Sequence, residues 1–491
     1  MSLAQQQELE SKYVMGTFAR KPVEFVSGNG MTLTDDKGKQ YLDFIGGIGV
    51  ISLGHCAPAL VKTLQEQTAK LMHVSNYYYI EHRGEVAEKL SNILGGTTDS
   101  GKPIEWKTFF SNSGAESNEC AIKLARLYAK RFGNGGSTIV TITNSFHGRT
   151  LAPLAATAQP LKQEAFKPLP GGFVDVPQND VAALEAAFAN HDVCAVILEV
   201  VQGESGVHPC SQEYLEAVRR LTSENKALMI CDEVQCGMYR CGVPFAFQHY
   251  GITPDIVAMA KGIAGGVPMG ACAARAEVAD AFGPGDHGTT FGGSCLAIAA
   301  ANCVLDELGR EGEIERIDAA GEHLAERLAT LPHVKEVRGL GLMRARIQRD
   351  CLHRRLLRAL DDHDKLASWR IFRVAGDRFA ERGAHDLLME LRQLPAEAYA
   401  PVCPEGIGKV LECGKQLVGR FIEDHRPALL LQTSQMLLPA FLVDGQKTLE
   451  AESARGKPRN RQRRNDRART GNRADGNVCL CAQANQILSG V

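Results

Sequence analysis

Short apolar runs recur along residues 108–274, separated by stretches of helical periodicity, and this alternation limits the folds open to the chain more than any other property. Runs at 108–111, 138–143, 173–176, 194–200, 228–232, 256–260 and 271–274 have strand length. Helical patterns such as 180–189 and 212–225 are wide enough to cross over between parallel neighbours. The order predicts an α/β fold, a mostly parallel sheet covered by helices on both faces. Ahead of it, Met31-Thr-Leu-Thr34 and Gln40-Tyr-Leu-Asp43 flank the turn residues Asp35-Asp-Lys-Gly38 and read as a hairpin.

In such a sheet, ligands gather at the carboxyl ends of strands. Asp232 closes the run Ala227-Leu-Met-Ile-Cys231, and Lys261 follows Ile256-Val-Ala-Met-Ala260 where a glycine-rich loop begins. A third strand end leads through Ser111-Asn-Ser-Gly114 into a helical pattern carrying Ala121, Leu124, Ala125 and Tyr128, and free amides at a helix start favour an anion. Singly, each has an ordinary reading: a solvated loop lysine, a strand-end cap, a helix N-cap. Together and in this order they supply what pyridoxal phosphate requires, namely an amine for its aldehyde, an anion beside its ring nitrogen and donors around its phosphate.

The motifs Asn112-Ser-Gly-Ala-Glu116, Phe146-His-Gly-Arg-Thr150, Glu199-Val-Val-Gln-Gly-Glu204, Asp232-Glu-Val-Gln235, Lys261 and His287-Gly-Thr-Thr-Phe-Gly-Gly293 resemble, in order, those of the class III aminotransferases. Tyr41-Leu-Asp-Phe-Ile-Gly-Gly47, Ser52-Leu-Gly-His55, Ser75-Asn-Tyr-Tyr-Tyr79 and Val337-Arg-Gly-Leu-Gly-Leu-Met343 fit the acetylornithine branch better than the 4-aminobutyrate branch. The resemblance runs from about residue 12 to 343 and implies the fold-type I architecture of pyridoxal phosphate enzymes. It implies that Lys261 captures the cofactor aldehyde and later shuttles a proton. Asp232 would pair with the ring nitrogen, Phe146 and Val234 would clamp the two ring faces, and Gln235 would bond the ring hydroxyl, with Glu233 in the same segment. Ser113, Gly114 and Ala115 would hold the phosphate, joined by Thr290 from a neighbouring subunit in a homodimer with shared active sites. Arg149 would receive a substrate carboxylate, Thr289 would contact substrate, and Glu204 would mask a second arginine so that one pocket accepts two carbon skeletons.

Transamination of the δ-amine of N2-acetylornithine with 2-oxoglutarate, in arginine biosynthesis, is the activity this branch implies. Succinylornithine or another ω-amino acid is the alternative donor, and an inactive cofactor-binding scaffold is the alternative from another class. Ile51 and Ser294-Cys295 depart from the branch beside the expected pocket and bear on the donor rather than on the chemistry.

Bulk properties agree. A chain of 491 residues, 44% hydrophobic and 23% charged with net charge −2, suits a globular enzyme and gives no reason to expect nucleic acid as a partner. The first residues show neither an apolar core nor an arginine-rich presequence, and no run approaches membrane-spanning length, so a cytoplasmic location without membrane association is expected. The fifteen cysteines are scattered through apolar segments and read as reduced thiols. Cys231, Cys236 and Cys241 have spacing that does not suit a metal knuckle, so no metal is expected.

Character changes at residue 343. Up to there the chain has 16 Lys, 13 Arg and 39 acidic residues; beyond it, 5 Lys, 21 Arg and 18 acidic residues. The resemblance breaks off inside a strand, where Arg344-Ala-Arg-Ile-Gln-Arg-Asp350 replaces the apolar continuation, and the second arginine has no candidate. A shifted reading frame explains a replacement of this kind better than an appended basic module with the arm Arg455-Gly-Lys-Pro-Arg-Asn-Arg-Gln-Arg-Arg464. The domains expected are residues 1–55 as the N-terminal part of a small domain, 56–305 as the large cofactor-binding domain and 306–343 as the start of an incomplete C-terminal small α/β domain. Residues 344–491 stay unassigned, with 451–491 expected to be disordered. The strand at 334–343 is expected to lack its sheet neighbours.

Overall fold

The computed structural model describes residues 2–98, 100–332 and 334–348. The expectations for the region beyond 348, including the basic arm and the disordered tail, lie outside the described residues.

Three strands open the fold, β1 (Phe25–Asn29), β2 (Thr32–Asp35) and β3 (Gln40–Leu42), paired antiparallel in the order β1-β2-β3. The expected hairpin is β2–β3; β1 extends it, a strand whose Ser27, Gly28 and Asn29 carry little strand signal. The turn is set by Asp35, whose buried carboxylate accepts the amides of Lys37 and Lys39 and the Tyr41 hydroxyl.

The main sheet has seven strands: β4 (Trp106–Ser111), β5 (Thr138–Ile142), β6 (Phe173–Val176), β7 (Val193–Leu198), then, after the two-residue strands β8 (Val201–Gln202) and β9 (His208–Pro209), β10 (Leu228–Asp232), β11 (Ile256–Met259) and β12 (Gly270–Arg275). Their order is β4-β12-β11-β10-β7-β5-β6. The five from β11 to β6 run parallel, and β12 is antiparallel to both β11 and β4. Its antiparallel course follows from the connection: the loop from Met259 to Gly270 carries only the short turn Lys261–Ala264, too little for a parallel crossover.

The central strands are apolar because both faces are covered. Every residue of β5, β7, β10 and β11 is buried. Two hydrophobic clusters flank the sheet, one around Val196, Met229 and Val257 and the other around Ile197, Ile230 and Ile256, so adjacent residues point to opposite cores. Helix Gly114–Arg131 seals the second cluster with Ala121, Leu124 and Ala125, and Gln212–Glu224 packs Leu215, Val218 and Leu221 into the first.

Downstream, helices Cys295–Leu308 and Glu313–Ala329 lead to β13 (Val334–Leu340), which turns into β14 (Met343–Gln348). Here the structure corrects the sequence reading: β13 is paired along its length with a strand crossing the compositional break. Period-two alternation explains it, since Met343 and Ala345 are buried while Arg344 and Arg346 stay at intermediate exposure. Arg344 also reaches the Gly339 and Gly341 carbonyls and ion-pairs with Glu322 at 2.7 Å. Among the described residues this sheet has two strands.

Candidate active site

The floor of the site lies at the carboxyl ends of β5, β7 and β10. Asp232 is 2% exposed. Its Oδ2 accepts the Asn118 side-chain amide at 2.7 Å and lies 2.7 Å from His147 Nδ1, while Oδ1 takes only the Val234 amide, at 3.0 Å. His147 is fixed through its own amide, which donates to Thr157 Oγ1 at 2.9 Å. Glu199, just past β7, accepts the Phe146 amide at 2.8 Å and the Gly203 amide at 3.1 Å. Burial, then the nearby Asp232 charge, pushes the Glu199 carboxyl up to about 7. Two atoms of this floor, His147 Nε2 and Asn118 Oδ1, are buried without a hydrogen-bond partner among the described residues.

The amine stands beside this floor. Lys261 follows β11 with φ +45°, a left-handed conformation that a side-chain-bearing residue adopts at a cost and that recurs where function fixes a side chain. Its Nζ donates to Gln235 Oε1 at 3.3 Å. Opposite, β4 turns into helix Gly114–Arg131 through Ser113, whose hydroxyl caps the Glu116 amide at 3.2 Å. The preceding amides, of Gly114 and Ala115, have no intrahelical acceptor. A Cβ on Gly114 would fall 2.8 Å from Val234 Cγ1, so the helix start and the segment after Asp232 touch.

A rim surrounds this floor. The Phe146 ring has Arg149 Cζ 5.5 Å and Lys162 Nζ 5.2 Å from its centroid. Arg149 is exposed. Glu204 ion-pairs with Lys162 at 2.7 Å and accepts the Gln159 side-chain amide at 3.0 Å; among the described residues its ionic partner is this lysine rather than an arginine. A Cβ on Gly203 would sit 2.2 Å from Gln235 Oε1, so the loop to Glu204 passes directly over the partner of Lys261. Thr289 Oγ1 accepts the Asn112 side-chain amide at 3.0 Å, and Thr290 is exposed in the same loop.

Glu233 departs from the cofactor role expected of it. Its carboxylate is fully buried, accepts the Ala246 and Phe247 amides at 2.9 and 3.1 Å, and is spent anchoring that turn. Burial pushes it up to about 7. Conversely, His147, Asn118 and Glu199 are central to the floor although none was singled out in sequence; His147 and Glu199 lay inside recognised motifs, and Asn118, on the helix after Glu116, lay in none. Lys162 carries no sequence signal, because its distance from Glu204 along the chain hides the contact.

A buried carboxylate whose Oδ1 carries a single backbone hydrogen bond among the described residues, an amine in a strained backbone and uncommitted helix-start amides define a site for an anionic, aldehyde-bearing heterocycle, the donor set that pyridoxal phosphate fits. The family profile described as aminotransferase class-III matches residues 17–363, and the chain belongs to that family of pyridoxal phosphate-dependent aminotransferases. It is 47% identical over 340 residues to an acetylornithine aminotransferase from Caldanaerobacter subterraneus subsp. tengcongensis, covering 68% of this chain and 84% of that one. Among solved structures it resembles the ornithine aminotransferase of Toxoplasma gondii (TM-score 0.65, 30% identity, 71% and 83% of the two chains). The acetylornithine aminotransferase of Elizabethkingia anophelis gives a TM-score of 0.60 at 31% identity over 71% and 85%. The enzyme therefore moves amino groups between amino and keto acids.

Proposed function

We propose that the chain transfers the δ-amino group of N2-acetylornithine to 2-oxoglutarate, giving N-acetylglutamate semialdehyde and glutamate in cytoplasmic arginine biosynthesis. The observation that carries this reading is the convergence of Lys261, Asp232 and the Gly114 helix start, linked through Gln235, Asn118 and Val234. Supporting the donor are the names of the relatives and the resemblance of the Ser52–His55 and Ser75–Tyr79 motifs. No helix among the described residues is long and apolar enough to cross a membrane.

In this reading Lys261 would supply the amine for the cofactor aldehyde and would serve as the proton carrier at the substrate carbon. Asp232 Oδ1 would hold the ring nitrogen, with His147 and Asn118 fixing the other carboxylate oxygen. Phe146 and Val234 hold the ring faces, Gln235 its hydroxyl, and Ser113, Gly114 and Ala115 the phosphate. When bound, pyridoxal phosphate supplies an electron sink for the carbon–hydrogen bond being broken. Arg149 orients a substrate carboxylate and Thr289 borders it.

The same reading makes the enzyme a homodimer in which Thr290 completes a neighbour's phosphate site. Tyr77 and Tyr79 are 94% and 101% exposed, Phe291 63%. They share a surface, since the Asn76 side-chain amide bonds the Thr289 and Gly292 carbonyls, and apolar patches of this kind are covered by partners. In the same reading residues 1–55 and those from 306 to the end of β14 at Gln348 belong to a small domain, and 56–305 to the large cofactor-binding domain.

Incubation with pyridoxal phosphate followed by borohydride should leave a stable label on the Lys261 peptide, and N-acetylornithine with 2-oxoglutarate should yield glutamate. An unlabelled Lys261 would sink the enzymatic reading.

A further inference from the structure

One carboxyl of the floor has no task assigned so far. Glu199 stands one residue past β7, is 5% exposed, and among the described residues takes part in no ion pair; its charged neighbours, Asp232 and His147, are bonded to each other. Its side chain spends one oxygen on each of two segments far apart in sequence. Oε1 accepts the Phe146 amide at 2.8 Å and Oε2 the Gly203 amide at 3.1 Å. Both segments border the site. Phe146 directly precedes His147, whose Nδ1 is on Asp232, and a Cβ on Gly203 would sit 2.2 Å from Gln235 Oε1, the acceptor of Lys261 Nζ. Burying a carboxyl without a cation beside it is costly, and groups kept under that strain cluster at functional sites.

We propose that Glu199 is a positioning residue for the proposed transamination: its two carboxylate oxygens bracket the amides of Phe146 and Gly203, and so fix the Phe146 ring relative to the Gln235–Lys261 pair. The assignment rests on the proposed function for what Phe146 and Gln235 meet, and on the two hydrogen bonds for the bracket itself. A carboxylate suits the task because both its oxygens accept. Glutamine has the same shape but one acceptor oxygen, so its NH2 group would meet one of the two backbone N–H groups donor to donor and that side of the bracket would open. A second link joins the same segments, from the Gln202 side-chain amide to the Thr143 carbonyl at 3.0 Å. It lies three residues before Phe146, at the end of β5. The segments therefore stay joined in Glu199→Gln while the turn that carries the ring loses its anchor.

The test is a double-mutant cycle on the full chain, with Glu199→Gln made alone and together with Phe146→Ala. Pyridoxal phosphate affinity and the visible circular-dichroism band of the bound cofactor are measured, with amide hydrogen exchange of the apoprotein beside them. Glu199→Gln alone should weaken cofactor binding about tenfold and shrink the band per bound cofactor, and should add less than about twofold once the Phe146 ring is gone. Exchange at the Phe146 and Gly203 amides should quicken in Glu199→Gln. Should that variant lose its far-ultraviolet spectrum, Glu199→Asp, which keeps the charge on a shorter arm, takes its place in the cycle. Equal losses in the two backgrounds, or a band and affinity like those of the parent in Glu199→Gln, overturn the assignment. Borohydride labelling at Lys261 is read in the same samples: an unlabelled parent overturns the proposed function, whereas a labelled parent with additive losses overturns only the part given to Glu199. Unchanged exchange at both amides overturns the bracket with or without the cofactor.

Discussion

The floor and the rim of this site are built on opposite principles. Asp232, His147, Asn118 and Glu199 are buried and locked by hydrogen bonds to one another and to the backbone; Arg149, Lys162, Glu204 and Thr290 are partly or fully exposed. A charge in the floor acts through a low dielectric and cannot be rearranged cheaply, which suits the invariant chemistry of the cofactor. Charges in the rim interact weakly and can exchange partners, as an enzyme that alternates between two substrates requires.

Lys261→Ala should give the largest effect. It removes both the point of covalent attachment and the proton carrier, and general acid–base catalysis alone is worth roughly 10²–10⁴ in rate. Borohydride labelling and single-turnover rates should both collapse while the urea midpoint hardly moves, since the side chain makes one bond at 3.3 Å. A preserved rate would contradict the role given to Lys261. Asp232→Ala comes next in total effect and, unlike the first, should also lower stability. It leaves His147 Nδ1 and one of the two Asn118 amide hydrogens without a partner in the interior, the other hydrogen staying on the His147 carbonyl, and each buried polar group left unpaired costs about 1–3 kcal/mol.

Glu233→Gln sharpens the comparison by pH. The folded carboxyl titrates near 7, raised by burial from its usual 4.5. A raised acid favours the protonated folded state, so its contribution to stability is complete below about 4.5 and is lost as pH rises through 7. The unfolding free energy of the parent, from urea titrations, should therefore fall between those limits by up to about 3 kcal/mol more than that of Glu233→Gln, whose side chain does not titrate. Parallel profiles would show that Glu233 is not the source. Glu199 shares the direction and remains in both proteins.

Much of this fold was legible because buried parallel strands must be continuously apolar. The runs at 173–176 and 228–232 coincide with β6 and β10 to the residue, and Asp232 and Lys261 stood out because a charged residue ending such a run is costly without a use. What was missed depends on contacts across the chain. The Lys162–Glu204 pair joins segments 42 residues apart, and the true duty of Glu233 appears only once Ala246 and Phe247 fold over it. β14 was missed for another reason. Composition was weighed above periodicity, although Met343, Ala345 and Ile347 alternate with Arg344, Arg346 and Gln348 as a one-faced strand should.

The smallest expected effect tests the rim most directly. Lys162→Met removes a half-exposed ion pair and one cation near the Phe146 ring, interactions whose net worth is about 0–1 kcal/mol after desolvation and side-chain ordering. Its unfolding free energy should therefore lie within about 1 kcal/mol of the parent's, and salt should diminish even that difference because the charges face solvent. A loss as large as that of Asp232→Ala would mean that Lys162 is part of the locked structure, and the division between a rigid floor and an exchangeable rim would fall.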